Sequence, residues 1–224
     1  PKRGTFMDIA KKILAGFTAW FKNWDKVKSA LCIGIALVLV GGLLASTIQT
    51  DFFRVKIYTM ELETTPTLET STSKAFQGYQ ESGAPALSVA DVYMPKAASA
   101  DNKVPLILVM PGIQRTKETQ ASFCIELVRR GFGVICMDPF GQGESSPSYE
   151  TQSATKEGYG LFYWMDYLYS EEGMAAFDWV DYTRIGATGH SAGGNGVQKL
   201  AEREGKLAND TKSASRLNAA YITG

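Results

Sequence analysis

The stretch that decides the fold of this chain is Arg184-Ile185-Gly186-Ala187-Thr188-Gly189-His190-Ser191-Ala192-Gly193-Gly194. It contains the pattern G-x-S-x-G between a predicted strand over residues 184–188 and a predicted helix over 192–203. A serine on so sharp a strand-to-helix turn has a strained backbone, and the flanking glycines, Gly189 and Gly193, avoid clashes there. Its Oγ projects beside a helix N-terminus, where backbone N–H groups can stabilise a developing oxyanion. The stretch therefore predicts a nucleophilic serine, Ser191.

Predicted strands and helices alternate along most of the chain after residue 50. The apolar runs 105–110 and 134–137 are typical of strands buried on both faces. Further strands are predicted over 54–63, 87–93 and 217–223, helices over 117–130 and 171–180, and a loop over 64–84. This alternation predicts an α/β fold with a mostly parallel sheet flanked by helices.

Over residues 87–224 the chain resembles the α/β-hydrolase superfamily, particularly its dienelactone-hydrolase and serine-peptidase-like esterase branches. Besides the G-x-S-x-G turn, residues 138–145 (Asp-Pro-Phe-Gly-Gln-Gly-Glu-Ser) are similar to the family's D-x-x-G-x-G-x-S turn. Residues 110–114 (Met-Pro-Gly-Ile-Gln) stand at the position of its H-G oxyanion loop, with Pro111 where histidine is usual. Oxyanion donation comes from the main chain beyond Pro111, so the hole can survive this departure.

The resemblance implies a function and a set of site residues. Ser191 would attack an ester, thioester or peptide carbonyl and form an acyl-enzyme. The backbone N–H groups of Ala192 and Ile113 would form the oxyanion hole, and Gly189, His190 and Gly193 would complete the nucleophile elbow. The substrate would be a small-molecule ester or a peptide, and no metal or organic cofactor is implied.

A serine hydroxyl is a poor nucleophile until a base takes its proton. The only histidine is His190, which adjoins the serine, and neighbouring side chains on such a turn point apart. We expect His190 to pack beside the elbow and Asp138 and Asp181 to cap turns. In the family the acid and the histidine follow the serine in chain order. We therefore expect both beyond residue 224, with the fold incomplete at the C-terminus, or on another chain.

Residues 29–50 carry no charge and predict one transmembrane helix. A helix of about 20 residues spans about 30 Å, the thickness of a bilayer's hydrocarbon core. A buried core helix seldom stays apolar on every face, and a signal peptide has a shorter apolar region. Basic residues precede the span, so the positive-inside rule predicts residues 1–28 in the cytoplasm and 51–224 as an extracytoplasmic domain at the cell membrane.

Residues 1–28 show helical spacing of apolar side chains, with lysines between them. This pattern is typical of an amphipathic helix on an anionic membrane surface, and a helix packed on a partner subunit of a membrane complex is the alternative. The apolar positions are Phe6, Ile9, Ile13, Phe17, Trp20 and Trp24.

Composition excludes several other functions. The 23 basic and 23 acidic residues cancel, which gives no general attraction to nucleic acid. The three cysteines lie in apolar runs without metal-ligand spacing, so we expect neither a disulfide framework nor a metal site. The aromatic stretch 159–169 is expected to form a core helix face, or alternatively a pocket wall.

Two other functions fit the same residues. The domain could be a catalytically inactive, hydrolase-like scaffold or subunit of a membrane complex, although a scaffold does not need a strained serine. It could also transfer an acyl group to an acceptor other than water.

Overall fold

The computed structural model describes residues 11–12, 14–16, 18, 24–64, 84–147, 155 and 158–223. The chain divides into two compact units, Pro1–Thr50 and Asp51–Gly224. Of the apolar positions in the predicted amphipathic pattern, all but Trp24 lie outside the described residues, as does the predicted loop over 64–84 apart from its two end residues.

The first helix, α1 (Trp24–Arg54), contains the predicted span 29–50 and is longer than it at both ends. Its segment Lys26–Leu44 has a mean hydropathy of 2.3 and is long and apolar enough to cross a membrane. The large apolar side chains from Leu31 to Leu44 are exposed, with Val38 at 75%. These properties suit a membrane anchor, and a signal sequence near the N-terminus shares them.

Six strands form one sheet in the order β1-β2-β4-β3-β5-β6 among the described residues. Strand β2 runs antiparallel to both of its neighbours, whereas β4, β3, β5 and β6 are parallel to one another. The predicted mostly parallel sheet is therefore confirmed. The strands are β1 (Val55–Thr64), β2 (Ala86–Pro95), β3 (Val104–Met110), β4 (Gly133–Met137), β5 (Val180–His190) and β6 (Ala219–Thr223).

Helices cover the sheet and connect its parallel strands. They are a 3-10 turn (Lys117–Gln120), α2 (Ala121–Arg129), α3 (Tyr159–Leu168), α4 (Glu171–Ala176) and α5 (Ala192–Thr211). The predicted helix over 171–180 is wrong in its second half, because Val180 begins β5 and pairs with Val104 of β3. The N–H of Val104 also donates to the carbonyl of Trp179 at 3.0 Å. Pairing with the sheet therefore ends the helix early.

The central strands bury side chains on both faces, as their apolar runs predicted. Leu106, Leu108 and Met110 of β3 contribute to a core beneath α3 and α5. Val109 of the same strand contributes to the opposite core, with Cys124 of α2. Successive side chains of a strand point to opposite faces, so a strand covered on both sides is apolar throughout.

The aromatic stretch forms the core face of α3. Leu161, Trp164 and Leu168 are fully buried, and the Trp164 Nε1–H donates to the buried Ser88 hydroxyl of β2 at 3.0 Å. The interpretation of this stretch as a core helix face is therefore confirmed.

The start of α5 lies directly against the ends of β3 and β5. A Cβ atom on Gly193 would lie 2.2 Å from the Met110 carbonyl oxygen, and one on Gly189 would lie 2.4 Å from the Gly193 carbonyl carbon. Backbone atoms cannot yield to such overlaps as a flexible side chain can. The two glycines of the G-x-S-x-G pattern thus permit a backbone approach that no other residue allows.

The Trp164–Ser88 hydrogen bond makes a measurable contribution to stability. We expect Trp164→Phe to lower the free energy of unfolding by about 1–3 kcal/mol, since it leaves a buried hydroxyl without its partner. Ser88→Ala combined with Trp164→Phe should cost less than the sum of the single changes. Denaturant unfolding of the chain in detergent micelles measures this, and strictly additive losses would contradict it.

Two glycines of the same helix should respond oppositely to alanine. Gly193→Ala places a methyl group into the backbone of β3 and should destabilise the domain by more than about 3 kcal/mol. Gly205 has no atom within 4 Å of its Cβ position. Gly205→Ala should therefore raise stability by about 0.5–1 kcal/mol, through helix propensity alone. Thermal unfolding of both variants checks the contrast, and equal effects would contradict the packing described for Gly193.

Candidate active site

Ser191 occupies the single residue between β5 and α5. Its backbone has φ 54° and ψ −122°, a conformation that non-glycine residues rarely adopt. Two hydrogen bonds hold it, from its N–H to the Thr223 carbonyl at 2.8 Å and from the Asn195 N–H to its own carbonyl at 3.2 Å. The residue is exposed. The sequence pattern predicted this strained and accessible turn, and the structure has it.

Two backbone N–H groups near Ser191 have no hydrogen-bond acceptor among the described residues. Ala192 is the first residue of α5, so its N–H has no partner within the helix. The N–H of Ile113 likewise has none in the described part of the chain. Ile113 follows Gly112, whose Cβ position lies 3.2 Å from the Ser191 Cβ. The two predicted oxyanion donors therefore lie on the two segments that border the serine.

The loop that carries Ile113 follows directly after β3 and turns tightly. The Arg115 N–H donates to the Gly112 carbonyl at 3.3 Å, and Gln114 has a positive φ of 58°. A Cβ on Gly112 would lie 3.0 Å from the His190 carbonyl oxygen, so only glycine fits there without displacing the elbow. We call residues 111–116 the oxyanion loop.

The side chain of Gln142 holds this loop from the neighbouring turn. Its Oε1 accepts a short hydrogen bond from the Gln114 N–H, and its Nε2 donates to the Gly112 carbonyl at 3.4 Å. Sequence reasoning gave Gln142 no role. No local pattern could have revealed one, because the contact joins residues 28 positions apart.

Asp138 caps the turn 138–145, as predicted. Its carboxylate accepts from the N–H of Lys117 at 2.7 Å and from the N–H of Glu144 at 3.0 Å. The Ser145 hydroxyl donates to the Asp138 carbonyl at 2.9 Å, and Gly143 closes the turn with a φ of 58°. The carboxylate thus joins the 3-10 turn, through Lys117, to this turn, through Glu144.

Asp181 also makes only local contacts. Its carboxylate accepts from the N–H of Thr183 at 3.0 Å and from Nε of Arg184 at 2.6 Å. The Thr183 and Arg184 hydrogen bonds lower the pKa of Asp181 to about 2. The carboxylate of Asp181 therefore stabilises the start of β5.

Lys117 is a buried cation for which the sequence predicted no role. Its ammonium group lies 2.7 Å from Glu118 and 3.3 Å from the buried Asp138, and it also contacts Glu144. Burial alone lowers the pKa of Lys117, but hydrogen bonds to Glu118 and Glu144 outweigh it and raise the pKa above its usual range. The same contact lowers the pKa of Glu118 to about 2. These three carboxylates lie within 4.8 Å of one another, and the lysine supplies their counter-charge.

His190 packs beside the elbow, as expected. Its Nδ1 is buried without a hydrogen-bond partner and lies 3.3 Å from the Cβ position of Gly112. No hydrogen bond joins it to the Ser191 hydroxyl within the described ranges. Since the 224 residues contain one histidine, none of them supplies an imidazole base to Ser191 in this structure.

Two grooves border Phe123 of α2. The larger, about 770 Å³, runs between α2 and strands β5 and β6, and Ser191 is not among its lining residues. The smaller, about 310 Å³, contacts the elbow through Gly189 and His190 and includes Arg115. We assign the candidate site to Ser191 and the oxyanion loop on their geometry, since groove size alone would point elsewhere.

Comparison with known proteins gives only distant structural likenesses. No family model matches the chain, and no curated protein matches it. A ferulic acid esterase from Streptomyces cinnamoneus is 16% identical with a TM-score of 0.49, over 66% of this chain and 56% of that one. A bacterial heroin esterase is 18% identical with a TM-score of 0.42, over 74% of this chain and 44% of that one. A hyperthermophilic esterase from the archaeon Pyrobaculum calidifontis is 18% identical with a TM-score of 0.45, over 75% of this chain and 43% of that one.

The chain spans about half the length of the solved structures that it matches. Identities and TM-scores this low carry no argument, so the assignment of the fold rests on the geometry described above. A sheet with one antiparallel strand, parallel strands connected through helices and a strained serine between a strand and a helix together give this chain the α/β-hydrolase fold.

Proposed function

We propose that this chain is part of a membrane-anchored serine hydrolase that cleaves an ester, thioester or peptide bond through an acyl-enzyme at Ser191. One observation carries the proposal. An exposed serine in a strained conformation lies near two backbone N–H groups, those of Ile113 and Ala192, that have no acceptor in the described part of the chain. Strain of this kind costs about 1–3 kcal/mol and is concentrated at functional sites.

The arrangement suits acyl transfer. In the proposed reaction the Ser191 oxygen attacks the substrate carbonyl carbon as its proton passes to a base. The carbonyl oxygen becomes an oxyanion, which the N–H groups of Ile113 and Ala192 stabilise. Collapse of this intermediate expels the alcohol, thiol or amine with a proton from the base and leaves the acyl group on Ser191. Water then releases the acid by the same steps.

We propose that the base is a group outside the 224 residues. The only histidine, His190, packs against Gly112 and makes no hydrogen bond to the serine among the described residues. Asp138 and Asp181, which we expected to cap turns, accept hydrogen bonds from the N–H groups of Lys117 and Thr183, respectively. We therefore propose that a further segment or another chain supplies a histidine and an acid.

The membrane anchor is the second part of the proposal. An apolar helix whose large side chains are exposed between Leu31 and Leu44 requires an apolar environment. Basic residues precede it, so we place the N-terminus in the cytoplasm and residues 51–224 outside, with membrane lipid as the partner of α1.

A scaffold function is the second candidate, and it is favoured because no described residue places a base in hydrogen-bond contact with Ser191. A hydrolase-like domain that cannot remove the serine proton could act as a subunit of a membrane complex. The two candidates differ in one chemical property, which is whether the Ser191 hydroxyl reacts as a nucleophile.

Fluorophosphonate labelling tests the nucleophile. The protein in its native membrane should be labelled at Ser191, and Ser191→Ala should abolish the label. Ser213→Ala, which changes an exposed serine at the end of α5, is the control and should be labelled like the wild type. Mass spectrometry of the labelled peptide identifies the site. Absence of label on the wild-type protein would reject the hydrolase and leave the scaffold.

Cysteine accessibility tests the anchor and its orientation. Asp101→Cys and Lys11→Cys each place a thiol at an exposed position on opposite sides of α1 in the sequence. A membrane-impermeant maleimide should label intact cells carrying Asp101→Cys, and should label Lys11→Cys only after the membrane is opened. The unsubstituted protein controls for Cys32. A cleaved, released domain would show a signal sequence instead, and the reverse labelling would contradict the orientation.

A further inference from the structure

The contacts of Gln142 extend the proposed function to a residue outside the nucleophile elbow. We propose that Gln142 is a positioning residue that aims the Ile113 N–H at the oxyanion. This inference rests on the proposed hydrolase function and concerns how the oxyanion hole keeps its geometry.

The argument begins with the planarity of one peptide group. The Ile113 N–H and the Gly112 carbonyl belong to the same peptide unit, and in a trans peptide they point in opposite directions. The Gly112 oxygen accepts from Nε2 of Gln142 at 3.4 Å and from the Arg115 N–H at 3.3 Å. Holding this oxygen on one side of the loop directs the N–H of Ile113 to the other side.

The next peptide group is held by the same side chain. The Gln114 N–H donates to Oε1 of Gln142, so one amide group binds the peptide units on both sides of Ile113. Gln114 itself has a φ of 58°, which costs energy for a non-glycine residue. The hydrogen bond from Gln142 offsets part of that cost and selects one conformation of the loop.

Gln142 can act as a fixed support because its own turn is rigid. Asp138 accepts one hydrogen bond across this turn, from the Glu144 N–H, and a second from the Lys117 N–H of the 3-10 turn. Ser145 connects the turn to β2 by accepting from the Val89 N–H at 2.9 Å. Gln142 is half-buried, which limits the competition of water for its amide group. The side chain thus transmits the geometry of β4 and its turn to the oxyanion loop.

Only a primary amide of this length can make both contacts. An amide offers a donor and an acceptor at one end, whereas a carboxylate accepts only and an alkyl group does neither. Gln142→Glu retains the acceptor for the Gln114 N–H and loses the donor to the Gly112 oxygen. Gln142→Met retains the length of the side chain and loses both.

Two measurements on the full protein test the proposal independently. The first is hydrogen exchange of the Gln114 amide. It should be protected in the wild type and in Gln142→Glu, and exchange at least about tenfold faster in Gln142→Met. Gln198→Met, on the exposed face of α5, is the matched control and should leave the exchange unchanged. Equal exchange in the wild type and Gln142→Met would overturn the anchoring.

The second measurement is the rate of fluorophosphonate labelling at Ser191. Loss of a single oxyanion donor costs about 10²–10³-fold in other serine hydrolases, so a misaimed N–H in Gln142→Met should slow labelling by about 10–100-fold. The unfolding temperature should change little. For substrates, kcat should fall while KM stays constant, which a merely structural role would not produce. Wild-type labelling speed in Gln142→Met would overturn the positioning role, whereas an unlabelled wild type rejects the proposed function and leaves the exchange result valid.

Discussion

The rest of the site depends on the close approach of the start of α5 to the ends of β3 and β5. Gly193 lies so near the Met110 carbonyl that a methyl group would overlap it, and Gly189 lies equally near Gly193. For the chain to pass from β5 into a helix at this distance, the residue between them must take a left-handed backbone. That residue is Ser191. The strain at the serine is therefore a consequence of packing, and packing holds the hydroxyl outside the core.

A second constraint places the oxyanion loop beside this turn. Strands β4, β3 and β5 are adjacent and parallel, so their carboxyl ends meet at one edge of the sheet. The loop after β3, the turn after β4 and the elbow after β5 are brought together there. Ion pairs and hydrogen bonds of Lys117, Asp138 and Gln142 then join the loop after β3 to the turn after β4. A buried ion pair is costly to break, since the remaining charge has no partner.

The described residues combine an exposed serine with two backbone N–H groups that lack an acceptor, and none of them is a base hydrogen-bonded to that serine. In the proposed reaction, Ser191 is the nucleophile and the N–H groups of Ile113 and Ala192 stabilise the negative charge. The imidazole of His190 packs against Gly112. Stabilisation of an oxyanion and removal of the serine proton are separate chemical tasks, and this arrangement assigns only the first to the described residues.

The sequence by itself determined the order of strands and helices, the apolar helix and the position of the elbow. These features are local: β3 and β4 are continuous apolar runs, and the glycines around Ser191 indicate the turn. The tertiary structure alone decided which groups meet across the loops. The second half of the predicted helix over 171–180 is not helical. Val180 pairs with β3 instead, because sheet hydrogen bonds outweigh weak helix propensity. The contacts of Lys117 with Asp138 and of Gln142 with Gln114 had no local signature, since these partners lie more than 20 residues apart in the chain and only the parallel sheet brings them together.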